Sequence, residues 1–104
     1  MRDKLQKLIA AYAELERKLA DPAVVSDQTE YTRLAKEHSS QADLVEKARA
    51  YLGALDDIDA AKELLHEESD PEAKSALQAD ISENEAKLPS LEEDIKFMLI
   101  PGDP

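Results

Sequence analysis

The side chains of this 104-residue chain that could carry chemistry are two histidines, a few serines and several adjacent carboxylates, and their spacing argues against each use. His38 follows Tyr31 and Leu34 on an apolar stripe, where an edge-packed imidazole is the ordinary outcome and a metal ligand would need partners at hand. His66 with Glu67 and Glu68 has the residue types of a metal site. On a helix, however, consecutive residues point in different directions, so these donors do not converge. The pairs Asp56-Asp57, Glu67-Glu68 and Glu92-Glu93 lack a basic partner or a cleft and read as solvated helix faces. Ser39, Ser40 and Ser90 stand in no nucleophile and base pairing, and neither Gly53 nor Gly102 belongs to a phosphate-cradling loop. The absence of Cys removes thiolate chemistry and disulfides and fits a reducing compartment. No enzymatic activity, cofactor, metal or small-molecule substrate is expected.

What positions these side chains is helical periodicity, with strand alternation missing throughout. From about residue 3 to 20, Leu5, Leu8, Tyr12, Leu15 and Leu19 recur at steps of three and four, and Ile9 widens the seam. Pro22 cannot continue a helix and biases Asp21 away from helical angles, so the first run ends there. Val24 and Val25 read as a small apolar plug in a turn. Ser26 or Asp27 then serves as N-cap, and Asp27 with Glu30 has the spacing of a capping box. The second run covers about residues 28 to 68. Its stripe passes through Leu34, His38, Val45, Ala48, Leu52, Leu55, Ile58, Ala61 and Leu65. The successive steps of three from Leu52 to Ala61 resemble a stammer, which predicts a local rotation of the contact face. Gly53 beside this slip costs about 1 kcal/mol against Ala, so a kink or frayed turn is one expectation there.

Asp70 suits an N-cap and Pro71 the first helical position, which opens a third run over about residues 71 to 99. Leu77, Ile81, Asn84, Leu88, Leu91, Ile95 and Met98 form its heptad seam. Asn84 has two readings on that seam: a buried amide that selects register, or a polar group at a solvated edge. Pro89 removes the bond to the Glu85 carbonyl and predicts a kink, and Ser90 with Glu93 is spaced to recap a fresh helical segment. The short connection makes the second and third runs antiparallel neighbours. The expected fold is all-α, a three-helix bundle built on a long antiparallel, coiled-coil-like hairpin. The first helix covers about half of that hairpin at 1.5 Å per residue, which leaves an exposed acidic tip around His66 to Asp70.

Composition fits this architecture. Hydrophobic residues make up 42% of the chain but aromatic ones only 4%, with no Trp and one Phe, so the core must be aliphatic and thin. No apolar run reaches the roughly 20 residues of a membrane span and no signal-peptide core is present, which leads to a cytoplasmic expectation without a membrane partner. The net charge of −11 is unevenly placed. Residues 1 to 52 hold nine basic and nine acidic side chains, whereas residues 53 to 104 hold four basic and fifteen acidic. The second half would repel RNA. The neutral half, with Arg2, Lys4, Lys7, Arg17 and Lys18, is the side suited to phosphate, although solvation of long helices accounts for the same charges.

The block from Asp21 to Ser39, with Asp21-Pro22, Val24-Val25, Ser26-Asp27, Tyr31 and Leu34-Ala35-Lys36-Glu37-His38, resembles the N-terminal domain of the bacterial class I peptide chain release factors. The terminal Met98-Leu99-Ile100-Pro101-Gly102-Asp103-Pro104 looks like the apolar run and Pro-x-Asp-Pro with which that domain ends. Together they cover the chain from near one end to the other and point to type one rather than type two. Pro89 departs from the charged residue common at that place in the family and puts the straightness of the third helix in doubt.

The resemblance implies translation termination. Release factors carry a Gly-Gly-Gln tripeptide that promotes hydrolysis of the peptidyl-tRNA ester and a Pro-x-Thr element that reads the stop codon, and neither occurs in this sequence. The chain is therefore expected to be an isolated N-terminal domain, residues 1–104, with the catalytic and codon-reading domains absent. Its implied role is to position the factor near the stalk base of the large ribosomal subunit, beside the class II release-factor GTPase. In that role Lys4, Lys7, Arg17 and Lys18 would meet rRNA, and the acidic arm would meet a ribosomal protein or the GTPase. The alternative is a stand-alone acidic helical adaptor or dimerising coiled coil.

Overall fold

Three aspartates and two prolines set the helix boundaries of the computed structural model, which describes residues 1–100. The fold is all-α: α1 spans Arg2–Leu19, α2 Pro22–Val25, α3 Gln28–Glu67 and α4 Pro71–Leu99. At α2 the Asp21 carboxylate accepts the Ala23 N–H at 3.0 Å with Pro22 in the first turn. At α4 Asp70 accepts the Ala73 N–H at 3.0 Å with Pro71 in the same place. In both cases a carboxylate satisfies an orphan donor, and the fixed proline φ is already helical. Asp27 caps α3 by accepting the Glu30 N–H at 3.2 Å.

Two local expectations are corrected. The Val24-Val25 stretch is not an apolar turn but the single-turn helix α2, and Val25 is 55% exposed rather than plugged inward. An Asp cap followed by Pro nucleates a helical turn even where only four residues follow. The capping box at α3 is also only half made. The Glu30 carboxylate turns to Arg33 instead of returning to the Asp27 N–H, which donates to the Val24 carbonyl at 3.0 Å. A charge-assisted bond to Arg outcompetes a neutral amide already supplied with an acceptor.

The chain forms two compact units, residues 1–48 and 49–104, and α3 contributes to both. In the first unit Leu5, Tyr12, Leu15, Leu34, Val45 and Ala48 are buried. Tyr12 of α1 stacks on His38 of α3 with ring centroids 4.3 Å apart, and Glu16 one turn later approaches the same imidazole. In the second unit Tyr51, Ala54, Ile58, Ala61, Ile81 and Ile95 are buried. Ile58, Ala61 and Ile81 pack as a cluster with Leu65, Leu77 and Leu88 beside it. The Tyr51 hydroxyl meets the Glu92 carboxylate at 3.1 Å, far from the turn. Partners that run in opposite directions along the two helices make this unit an antiparallel hairpin, closed by residues 68–70, where Glu68 accepts the Asp70 N–H at 3.1 Å.

The slip in the α3 stripe is real but displaced. The steps of three run Val45, Ala48, Tyr51, Ala54, and the pattern then resumes through Ile58, Ala61 and Leu65. Leu52 and Leu55 are only half-buried. At about 100° per residue, each step of three carries the stripe backwards around the axis, so the buried face of α3 changes along its length. The helix stays continuous through Gly53, and α4 stays continuous through Pro89 rather than dividing into two recapped pieces. Asn84 is half-buried and gives its amide to the Asp80 carbonyl of its own helix at 3.0 Å, which favours the edge reading over register selection. Met98, expected on the seam, is 37% exposed. The terminal Pro101-Gly102-Asp103-Pro104 lies outside the described residues.

A Cβ at Gly53 would meet nothing within 4 Å. Gly53→Ala should therefore raise stability by about 1 kcal/mol in urea unfolding, with no change in helical content. Pro89→Ala restores the amide for the Glu85 carbonyl and should add up to about 3 kcal/mol. Ile81→Ala should cost about 2 to 5 kcal/mol through its cavity in the hairpin core.

Candidate functional site

The basic side chains of the first unit are arranged by the helical repeat of α1. Lys4, Lys7 and Lys18 fall on one flank of the buried Leu5 and Leu15, all three exposed, and Ala11 and Glu14 lie between them on the same flank. Arg17 is turned about 100° from Lys18 and is held by Glu14, its Nε at 2.9 Å and its Nη2 at 2.5 Å from one carboxylate oxygen. The structure therefore groups three of the four basic residues expected to face phosphate, and gives the fourth an acidic partner.

A fifth cation belongs with Lys18. Arg33 of α3 lines the same shallow groove as Lys18, floored by Leu15 and Leu34 with Glu14 and Glu37 on the rim. Charge counting in the sequence did not find it, because the antiparallel approach of α1 and α3 brings together residues fifteen positions apart. Arg33 is hydrogen-bonded to Glu30 through Nε at 3.2 Å and through Nη2. That bond, with smaller help from the Arg33 and Lys18 charges, holds the Glu30 carboxyl below its ordinary range. The same contact raises the Arg33 guanidinium further above its usual value.

His38 occupies the packed edge position that its stripe implied. Its ring is stacked on Tyr12, and Nε2 lies 3.7 Å from a Glu16 carboxylate oxygen, too far for a hydrogen bond. His66, Glu67 and Asp70 are exposed at the hairpin end, and Glu68 turns back to the linker. Among the described residues no three acidic, His or Cys side chains are grouped as metal ligands, and no helix is long and apolar enough to cross a membrane. What the first unit offers is a row of three lysines beside a groove in which Glu14 is paired with Arg17 and Arg33 with Glu30. Such a surface can meet phosphate through its lysines alone.

The PCRF domain family matches residues 8–104 of this chain. Among curated relatives, Peptide chain release factor 1 of Chloroherpeton thalassium is 42% identical over 103 residues, which are 99% of this chain and 29% of the relative. The protein of that name from Geobacter sulfurreducens is 41% identical over 104 residues, all of this chain and 28% of the relative. That from Clostridioides difficile is 40% identical over 104 residues, again all of this chain and 29% of the relative. This chain thus spans less than a third of the length of each. No solved structure matches it.

The Glu30–Arg33 contact gives a direct check of the local electrostatics. Arg33→Ala should return the Glu30 carboxyl to its ordinary titration range, read by carboxyl-carbon NMR. Because the folded value is depressed, whatever stability the pair contributes is present above the ordinary Glu range and lost as pH falls through the folded value. The exposure of both side chains keeps that contribution small.

Proposed function

Since the chain belongs to the PCRF-domain family and resembles the type-one release factors, we propose that it is the non-catalytic N-terminal domain of a peptide chain release factor. It serves translation termination by positioning that factor on the ribosome. The observation that carries this reading is the match to release factors over essentially the whole chain. The reading places the domain in the cytoplasm, near the stalk base of the large subunit and the class II release-factor GTPase.

Its physical support lies in the partition of charge. Residues 1–48 carry eight basic and nine acidic side chains, and residues 49–104 carry five basic and fifteen acidic. Only the first unit can approach rRNA without strong repulsion, and Lys4, Lys7 and Lys18 are its freely exposed row. Helices held by caps and seams suit a positioning task because they fix the direction of a surface without a reaction centre. Ester hydrolysis in the whole factor belongs in this reading to the parts that lie outside this chain.

A second reading, a stand-alone helical adaptor or dimerising protein, is favoured by the apolar end of α4, where Phe97 is 76% and Ile100 65% exposed. Sedimentation equilibrium distinguishes the two: a monomer across the micromolar range fits the docking domain, and a concentration-dependent dimer fits the alternative.

Docking is tested by pelleting the chain with large ribosomal subunits between 50 and 200 mM salt. Saturable binding that weakens with salt is expected. The variant carrying Lys4→Ala, Lys7→Ala and Lys18→Ala should flatten the log-log salt slope by about 2 to 3, close to one unit for each phosphate that a lysine no longer neutralises. Arg17→Ala should change it much less, because Glu14 already neutralises that guanidinium. Identical slopes for the native chain and the triple variant would remove the lysine row from the interface.

A further inference from the structure

One face of the hairpin carries a groove that the lysine-based docking surface leaves unused. It is an open depression of ≈ 360 Å³ in the second unit, floored by Ala60, Ala61, Leu64 and Leu77 and flanked by Asp57 on α3 and Asp80 on α4. Asn84 closes one side, with its amide already committed to the Asp80 carbonyl. The decisive residue is Leu64. It is 59% exposed, although the adjoining Ala61 and Leu65 belong to the packed cluster. A large aliphatic side chain left on the surface, in a shallow trough of alanines between two carboxylates, has the form of a peptide-helix site: an apolar floor for a narrow stripe, and acids on both banks for flanking cations.

We propose that this groove docks a cationic amphipathic helical segment of a protein partner. Such a segment would lay a small apolar stripe against Leu64 and Leu77 and extend Lys or Arg to Asp57 and Asp80. The charge of the unit selects the occupant. Fifteen acidic against five basic side chains in residues 49–104 oppose an RNA phosphate here and attract a basic peptide from a distance. The apolar floor is what gives such an encounter a register, because exposed charges alone are screened and non-specific. The inference deepens the docking reading and rests on it for the setting in which a basic protein segment is met. It assigns the protein-facing contact to this groove and leaves the RNA-facing contact to α1.

The probe is a synthetic amphipathic helical peptide with Leu and Ala on one face and Arg on both flanks, titrated into the 15N-labelled chain at 50 and 150 mM salt. Saturable shifts confined to the segments Asp57–Leu64 and Leu77–Asn84 are expected. Leu64→Ser should weaken the affinity about tenfold, and Asp57→Asn with Asp80→Asn by a similar or larger factor. Leu64 is exposed, so its substitution leaves the fold intact, and unchanged circular dichroism confirms this. Shifts spread over all acidic residues and indifferent to Leu64→Ser would overturn the proposal, as would no saturable shift at 50 mM salt. A short single-stranded RNA that perturbed the same residues would overturn it too. The ribosome pelleting of the triple lysine variant reads the docking function independently. Failure of the peptide with salt-sensitive pelleting intact sinks only the groove, and loss of pelleting with peptide binding intact sinks only the docking surface.

Discussion

The structure depends on a single constraint on α3: forty residues of one helix must supply the apolar surface of two compact units. A strict alternation of threes and fours keeps an apolar stripe near one side of a helix. From Leu34 to Val45 that alternation holds, with His38 and Gln41 as its half-buried members, and from Ala54 to Leu65 it holds again. Between them the chain takes only steps of three, so the stripe moves around the axis and no one apolar face runs the length of α3. Small residues make this possible. The buried Ala48 and Ala54 keep the transition narrow, and Tyr51 crosses it with a hydroxyl that finds Glu92 on α4. Continuous backbone hydrogen bonding is what lets the stripe turn without a break, since propagation of a helix is favourable once it is nucleated.

How legible this was in the sequence depended on the range of the interaction. Asp27 and Asp70 cap helices as their positions implied, because a cap is a contact between residues two or three apart and competes with little else. The same locality hid the helical nature of α2, where cap and proline outweigh the poor helix propensity of two valines. The sequence stripe runs through Leu52 and Leu55, whereas the buried residues are Tyr51 and Ala54. Their burial is decided by what the hairpin packs against, and hydrophobicity ranking does not carry that information. Glu30 has the spacing of a capping box but does not complete one. The competing guanidinium stands one turn away on the same face, and charge decides the contest.

The candidate surface was legible as a charge balance but not as a geometry. Counting gave the neutral and acidic halves, and these nearly coincide with the two structural units. Counting did not show that Arg17 turns to Glu14, or that Arg33 joins Lys18 across the groove between α1 and α3. The first follows from helical rotation within α1, and the second requires the antiparallel packing of α1 and α3 and is a tertiary fact. A surface reading that adds up charges overestimates the positive field wherever acids sit within one turn of the bases, as Glu14 and Glu30 do.

The hairpin turn shows how little a precise register requires. Only residues 68–70 separate α3 from α4, so a slip of one residue would strain the connection and unseat the Asp70 cap. A polar seam residue is therefore unnecessary as a register device, which agrees with Asn84 bonding within its own helix rather than across the hairpin. The far end of the pair is fixed separately by Tyr51 and Glu92. With register held at both ends, the face between them tolerates small and polar residues such as Ala60 and Asp80 that add little to the core. That freedom is compatible with an exposed Leu64 between the acidic Asp57 and Asp80.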